Sequence, residues 1–126
     1  MSATVLIVDD SATVRQQVAA ALTQAGFKVE EARDGVEGKT RIEAGGIGCV
    51  ICDVNMPNKN GIEMVEEVKG NAKHAKLPIV MLTTEGAKEL IERAKKAGAC
   101  GWIVKPFKAD LLVAAVSKLA ATPQPA

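Results

Sequence analysis

The sequence predicts an α/β protein in which five parallel strands alternate with five helices. Short, wholly apolar runs such as residues 5–8 and 49–52 are typical of strands covered on both faces, because they offer no polar side to water. Segments with apolar residues at helical spacing follow the strand-like runs. Right-handed crossovers would place these helices on both faces of one doubly wound sheet.

Capping residues and helix-ending glycines indicate the expected boundaries of each element. Strands are predicted at residues 5–8, 27–32, 49–52, 78–82 and 102–104. Helices are expected to follow N-caps at Ser11, Asp34, Asn60 and Thr84, and Leu111 lies in the last helix. Gly26 and Gly98 end the first and fourth helices. The polar segment 71–76, which contains His74, is expected to be exposed to solvent.

The size and charge of the chain limit the possible functions. At 126 residues it can form one domain with its own core. A net charge of +1 with interspersed signs excludes binding of nucleic acid or membrane through bulk charge. The beginning of the chain lacks a signal peptide, and no apolar run approaches the ~20 residues of a membrane span. We therefore expect a cytoplasmic protein.

Cys49 and Cys52 have the C-x-x-C spacing of some metal and redox sites. On a strand, residues three apart point to opposite faces, so these thiols cannot share a metal or form a disulfide. The total of three cysteines also favours reduced thiols. We interpret both as small buried hydrophobic residues.

Reactive side chains follow four of the predicted strands: Asp9 and Asp10, then Asp53, Thr83 and Lys105. Parallel strands end at one edge of a sheet, so these side chains are expected to converge there. Carboxylates ~4 Å apart repel by ~1 kcal/mol per pair in water and by ~4 kcal/mol at a dielectric of about 20, which one lysine cannot offset. Oxygen ligands in an open pocket favour Mg²⁺. The set is suited to phosphoryl transfer onto an aspartate.

Over residues 4–121 the sequence resembles the receiver domain of two-component response regulators, which has a flavodoxin-like fold. The resemblance depends on the motifs Asp9-Asp10, Asp53 with Met56-Pro57 and Gly61, Thr83, and Lys105-Pro106-Phe107. Within the family, the sequence is most similar to the single-domain chemotaxis regulators of the CheY type. It implies a receiver domain over residues 1–121 and a short disordered tail over 122–126.

The resemblance implies a phosphate acceptor and a metal site. Asp53 would accept a phosphoryl group from the phosphohistidine of a sensor kinase. Asp10, Asp53 and the backbone carbonyl of Asn55 would hold Mg²⁺, and Asp9 would act through a metal-bound water. The chain would be a signalling domain that assists its own phosphorylation and dephosphorylation, and not an enzyme.

The resemblance also implies residues that sense the phosphoryl group. Thr83 and Lys105 would contact its oxygens, and movement of Thr83 would reach Trp102, where the family usually has tyrosine or phenylalanine. Asn55 and Glu85 are the positions that tune access of the hydrolytic water.

The same resemblance implies the partners. The kinase would be CheA-like, and a monomeric regulator would bind a flagellar motor switch or a phosphatase downstream in chemotaxis.

Alternatives within the family are a phosphorelay shuttle, a phosphate sink, a receiver that no longer switches and a piece of a longer regulator. Met1 directly before the first strand favours a single-domain protein over a piece of a longer one. A flavodoxin-like carrier would need a hydroxyl-rich loop where Asp9 and Asp10 stand. A phosphatase of the haloacid dehalogenase type would need a second carboxylate in place of Asn55.

Overall fold

The computed structural model describes residues 4–84 and 86–120, and within them strands and helices alternate as predicted. The strands are β1 (Thr4–Val8), β2 (Lys28–Ala32), β3 (Cys49–Cys52), β4 (Ile79–Thr83) and β5 (Gly101–Val104). The helices are α1 (Ala12–Gln24), α2 (Gly35–Glu43), α3 (Gly61–Lys69), α4 (Lys88–Ala97) and α5 (Ala109–Ala120), and a short 3₁₀ turn (Ala72–His74) precedes β4. The predicted tail at 122–126 lies outside the described residues.

The five strands form one parallel sheet in the order β2-β1-β3-β4-β5. This order is that of a doubly wound flavodoxin-like sheet, so the predicted fold class is confirmed. One face of the sheet packs against α2, α3 and α4, and the other packs against α1 and α5. Within the described ranges, no helix combines the length and apolarity that a bilayer crossing requires.

The central strand β3 is buried on both faces, as its apolar sequence predicts. Cys52 lies in the core beneath α2, α3 and α4, and Cys49 lies in the core beneath α1 and α5. Burial raises the pKa of the Cys49 thiol to about 12, and it raises the pKa of Cys52 as well. Both thiols are free and point to opposite faces, which confirms that they are packing residues.

Three of the four predicted N-caps are confirmed. The side chains of Ser11, Asp34 and Asn60 each accept a hydrogen bond from a backbone amide three residues along the chain. Asn60 forms a full capping box, because Glu63 accepts a hydrogen bond from the Asn60 amide in return. The beginning of α3, directly after the loop that follows Asp53, is therefore well defined.

The predicted cap at Thr84 is wrong. Helix α4 begins only at Lys88, and its N-cap is Ala87, which provides no side-chain hydrogen bond. The longer loop leaves Thr84 exposed beside the carboxyl end of the sheet.

The expectation that His74 is solvated is also wrong, because its side chain is only 8% exposed. The physical reason is Lys69 at the end of α3. Its ammonium donates hydrogen bonds to the carbonyl oxygens of His74 (3.2 Å), Ala75 (3.0 Å) and Leu77 (2.6 Å). These bonds hold the backbone from His74 to Leu77 against the end of α3, whereas the other residues of segment 71–76 are exposed as expected.

Gly61, the first residue of α3, lies directly against the end of β3. A Cβ atom at this position would lie 1.9 Å from the carbonyl oxygen of Asp53 and 3.0 Å from Sγ of Cys52. No side chain can be accommodated without displacing the backbone of Asp53. The identity of residue 61 therefore fixes how closely α3 approaches the residue that ends the central strand.

We expect Gly61→Ala to lower the free energy of unfolding by about 2 kcal/mol, because the new methyl group overpacks against backbone. The measurement is urea unfolding followed by circular dichroism. Gly101→Ala is the matched control, since its Cβ would meet only Val80 side-chain atoms, at 3.7 and 3.8 Å. Equal stability of Gly61→Ala and wild type would contradict the close approach.

Candidate functional site

The site is built where β1, β3 and β5 end. Asp9, Asp53 and Lys105 each directly follow a strand. Their backbone amides still donate to carbonyl oxygens of a neighbouring strand, at 3.1, 2.9 and 2.8 Å respectively. The three residues are therefore held by the sheet although their side chains project beyond it.

Asp9, Asp10 and Asp53 form a carboxylate cluster at this edge. Each offers an oxygen atom within 4.8 Å of the others, and Asp9 and Asp53 are buried whereas Asp10 is exposed. The ammonium of Lys105 lies 2.9 Å from Oδ2 of Asp9 and 3.2 Å from Oδ2 of Asp53. The structure thus brings together four of the predicted site residues.

The second oxygen of each buried carboxylate accepts a hydrogen bond from the backbone. Oδ1 of Asp9 accepts from the Ser11 amide at 2.9 Å, and Oδ1 of Asp53 accepts from the Val54 amide at 2.7 Å. Both side chains are therefore fixed between an amide and the Lys105 ammonium. Asp10 remains at the solvent-facing side of the cluster.

The charges of the cluster do not balance. Burial raises the pKa of Asp9, and the nearby Asp53 carboxylate adds to this rise, which the hydrogen bonds from Lys105 and Ser11 only partly offset. Burial acts to lower the pKa of Lys105, but its hydrogen bonds to Asp9 and Asp53 and their negative charges raise it overall. Burial is thus the main reason why the pKa of Asp9 stays raised despite its ion pair. Because the single ammonium of Lys105 faces three carboxyl groups, the site has an excess of negative charge when they are ionised.

The donor set fits a hard divalent cation. Three carboxylates offer oxygen atoms only, which is the preference of such ions, and the exposed side of Asp10 leaves access for water ligands. Asn55 is exposed in the loop that directly follows Asp53. A cation here would neutralise the charge that Lys105 leaves uncompensated.

The remaining predicted residues occupy the neighbouring strands. Thr83 is fully buried at the end of β4, which lies between β3 and β5, and its carbonyl oxygen accepts the hydrogen bond of the Lys105 amide. Trp102 is half-buried on the edge strand β5 and packs against the core that lies beneath α2, α3 and α4. Glu85 lies outside the described residues.

A groove opens beside the cluster, between α1 and the segment that follows β5. Its volume is about 630 Å³, and its lining includes Lys105, Thr84, Val14 and Phe107. Lys105 belongs both to this groove and to the carboxylate cluster. The peptide bond between Lys105 and Pro106 is cis.

Arg15 contacts the backbone of the cluster, although no sequence pattern indicated this contact. Its guanidinium donates one hydrogen bond to the backbone carbonyl of Asp9 and another to the Glu31 side chain. A single arginine on a predicted helix is an ordinary surface residue. The only available signal was a glutamate near the end of the neighbouring strand.

Comparisons with known proteins agree with this geometry. The family model of the response regulator receiver domain matches residues 5–117. The chain is 39% identical over 109 residues to chemotaxis protein CheY1 of Helicobacter pylori, and the alignment covers 85% of this chain and 88% of that protein. It is 41% identical over 109 residues to the CheY homolog of Campylobacter jejuni, and this alignment covers 85% of this chain and 84% of that protein.

A solved structure is similar over nearly the whole chain. The chemotaxis protein CheY4 of Vibrio cholerae is 39% identical and superposes with a TM-score of 0.88, covering 94% of this chain and 99% of that one. The matched region contains every strand-end residue of the carboxylate cluster. The chain belongs to the response regulator receiver domain family.

Proposed function

We propose that this chain is a response regulator of the CheY type, in which Asp53 accepts a phosphoryl group from a histidine kinase. The observation that carries the proposal is the buried Asp53 carboxylate, held 3.2 Å from Lys105 within a cluster of three acidic side chains. The family and its chemotaxis relatives support the same function.

The chemistry is a displacement at phosphorus. A carboxylate oxygen of Asp53 forms a bond to phosphorus as the bond from phosphorus to the donor's imidazole nitrogen breaks, and the imidazole leaves with that electron pair. Asp9, Asp10, Asp53 and the backbone carbonyl of Asn55 would hold Mg²⁺. When bound, Mg²⁺ supplies positive charge to the phosphoryl oxygens.

Lys105 and Thr83 would sense the new group. The Lys105 ammonium already contacts Asp53, so it can move to a phosphoryl oxygen, and the hydroxyl of Thr83 would follow from the adjacent strand. We expect Asn55 and Glu85 to set the access of water to the phosphorylated aspartate, which makes the domain assist its own dephosphorylation.

The output would be a change of the surface formed by α4, β5 and α5, which includes Trp102. Val104 (49% exposed) and Leu111 (62% exposed) are large apolar side chains on the elements of this surface. Such residues suit a protein partner. The named relatives favour a CheA-like kinase as donor and a flagellar switch protein or a phosphatase as the downstream partner of a cytoplasmic monomer.

Phosphorylation should require Asp53. We expect acetyl phosphate with Mg²⁺ to add the mass of one phosphoryl group to the wild type and none to Asp53→Asn, as read by intact-mass spectrometry at mildly acidic pH. Asp110→Asn, an exposed aspartate in the first turn of α5, is the control and should be labelled normally. Labelling of Asp53→Asn, or no labelling of the wild type, would refute the assignment.

The variant Asp10→Asn should distinguish the repulsion among the carboxylates, which destabilises the metal-free fold, from the contribution of Asp10 to Mg²⁺ binding. In EDTA we expect a gain of unfolding free energy of about 1 kcal/mol or less, because Asp10 is exposed and screened. In the wild type, Mg²⁺ at a hundredfold excess over its Kd should add about 2.7 kcal/mol, and this gain should largely disappear in Asp10→Asn. Asp110→Asn should keep it. The measurement is urea unfolding. If Mg²⁺ stabilises Asp10→Asn as much as the wild type, Asp10 is not a metal ligand.

Trp102 is the single tryptophan, so its emission reports β5 directly. We expect beryllofluoride with Mg²⁺ to change this emission, because the switch couples Asp53 to Thr83 and Thr83 to Trp102. Thr83→Ala should reduce the change, and Thr83→Ser, which keeps the hydroxyl, should preserve most of it. The same spectral change in Thr83→Ala as in wild type would exclude the proposed coupling.

A further inference from the structure

Arg15 joins three elements around the carboxylate cluster. It lies on α1, its Nε donates to Oε1 of Glu31 on β2 at 3.0 Å, and its Nη1 donates to the carbonyl oxygen of Asp9 at 2.5 Å. The side chain is only 13% exposed, whereas Glu31 is 43% exposed. The arginine is therefore a mostly buried brace between a helix, a strand and the loop that bears the acids.

The bond to Asp9 completes the fixation of that residue. The Asp9 amide donates to β2, and its two carboxylate oxygens accept from the Ser11 amide and the Lys105 ammonium. Its backbone carbonyl is the remaining polar group, and Arg15 holds it. Since a peptide bond is planar, fixing this carbonyl also fixes the amide of Asp10 in the same plane.

Orientation of that peptide decides where the Asp10 side chain begins. Asp10 is exposed, and the hydrogen bonds that hold the carboxylates of Asp9 and Asp53 do not involve its side chain. Its approach to Asp9 and Asp53 is therefore set by the backbone.

We propose that Arg15 is a positioning residue of the metal site: by holding the peptide between Asp9 and Asp10, it directs the Asp10 carboxylate into the cluster. This inference rests on the proposed function, in which the cluster holds Mg²⁺. Glu31 has a supporting role, because it fixes the guanidinium from the side of β2.

Charge and positioning act in opposite directions on Mg²⁺ affinity. The positive charge of Arg15 lies beside an acidic cluster and competes with a bound cation, so its removal alone would strengthen Mg²⁺ binding. Loss of the fork to Asp9 and Glu31 would instead weaken binding, because the carboxylates would no longer be preorganised. The sign of the change therefore distinguishes the two roles.

The experiment measures the Mg²⁺ dissociation constant of the full chain by calorimetry. Arg15→Lys keeps the charge but loses the planar fork, and Arg15→Gln loses both. We expect both variants to raise the Kd about tenfold, as outer-shell changes at metal sites do. Glu31→Gln should raise it by a smaller factor, since the bond to Asp9 remains.

Arg41→Lys is the matched control. Arg41 also lies on a helix, also pairs with a glutamate of β2, Glu30, and also donates to a backbone carbonyl, that of Gly45. It makes no contact with the carboxylate cluster. Its variant should bind Mg²⁺ with the wild-type Kd even where its stability falls.

Three further readouts separate positioning from structure. In the metal-free protein, the NMR amide resonance of Asp10 should shift in Arg15→Lys and not in Arg41→Lys. A urea unfolding curve should show that Arg15→Lys is folded in the absence of urea. The rate at which acetyl phosphate phosphorylates this variant should recover at saturating Mg²⁺. Unchanged Mg²⁺ affinity in Arg15→Lys, or tighter binding in Arg15→Gln, would overturn the inference while leaving Asp53 phosphorylation intact. Failure of the wild type to bind Mg²⁺ would overturn the proposed function and this inference together.

Discussion

The structure depends on the balance between Lys105 and three carboxylates at one edge of the sheet. Asp9 and Asp53 are buried, and each bonds the same ammonium, at 2.9 and 3.2 Å. This single positive charge cannot neutralise the cluster, and burial keeps the pKa of Asp9 raised despite the ion pair. Crowded acids of this kind are costly in a metal-free fold, and such clusters with a perturbed pKa are typical of functional sites.

The fold supplies the rigidity that holds these charges together. β1 and β3 are wholly apolar over their last four residues and are buried between two layers of helices, so the residues that follow them have little freedom. Gly61 lets α3 begin against the backbone of Asp53. The loop between them is tied to α2, because Asn58 donates to the Asp34 side chain at 2.8 Å and the Gly35 amide donates to the Lys59 carbonyl at 3.1 Å. The loop that bears Asn55 is thereby anchored at its far end.

Sequence patterns predicted the features that depend on local chemistry. Apolar runs indicated the buried strands, Ser11 and Asn60 indicated helix starts, and the polar residues that follow the strands indicated the site. The convergence of the site residues could be predicted because parallel strands end at one edge, but individual side-chain contacts of the folded chain could not. His74 is buried because Lys69, five residues earlier, donates hydrogen bonds to three backbone carbonyl oxygens. Thr84 is not an N-cap because α4 begins only at Lys88. The role of Arg15 has no sequence signature, because its partners, Glu31 and the Asp9 carbonyl, meet only after folding.

We propose that residues distant in the sequence form one cation site at the carboxyl edge of the sheet. Paramagnetic broadening of amide resonances by substoichiometric Mn²⁺, read in a nitrogen-15 NMR spectrum, tests this site. We expect broadening centred on Asp9, Asp10, Asp53 and Val54, with Lys105 affected and the opposite ends of the strands sharp. Broadening centred elsewhere, or spread evenly over the acidic surface, would contradict it.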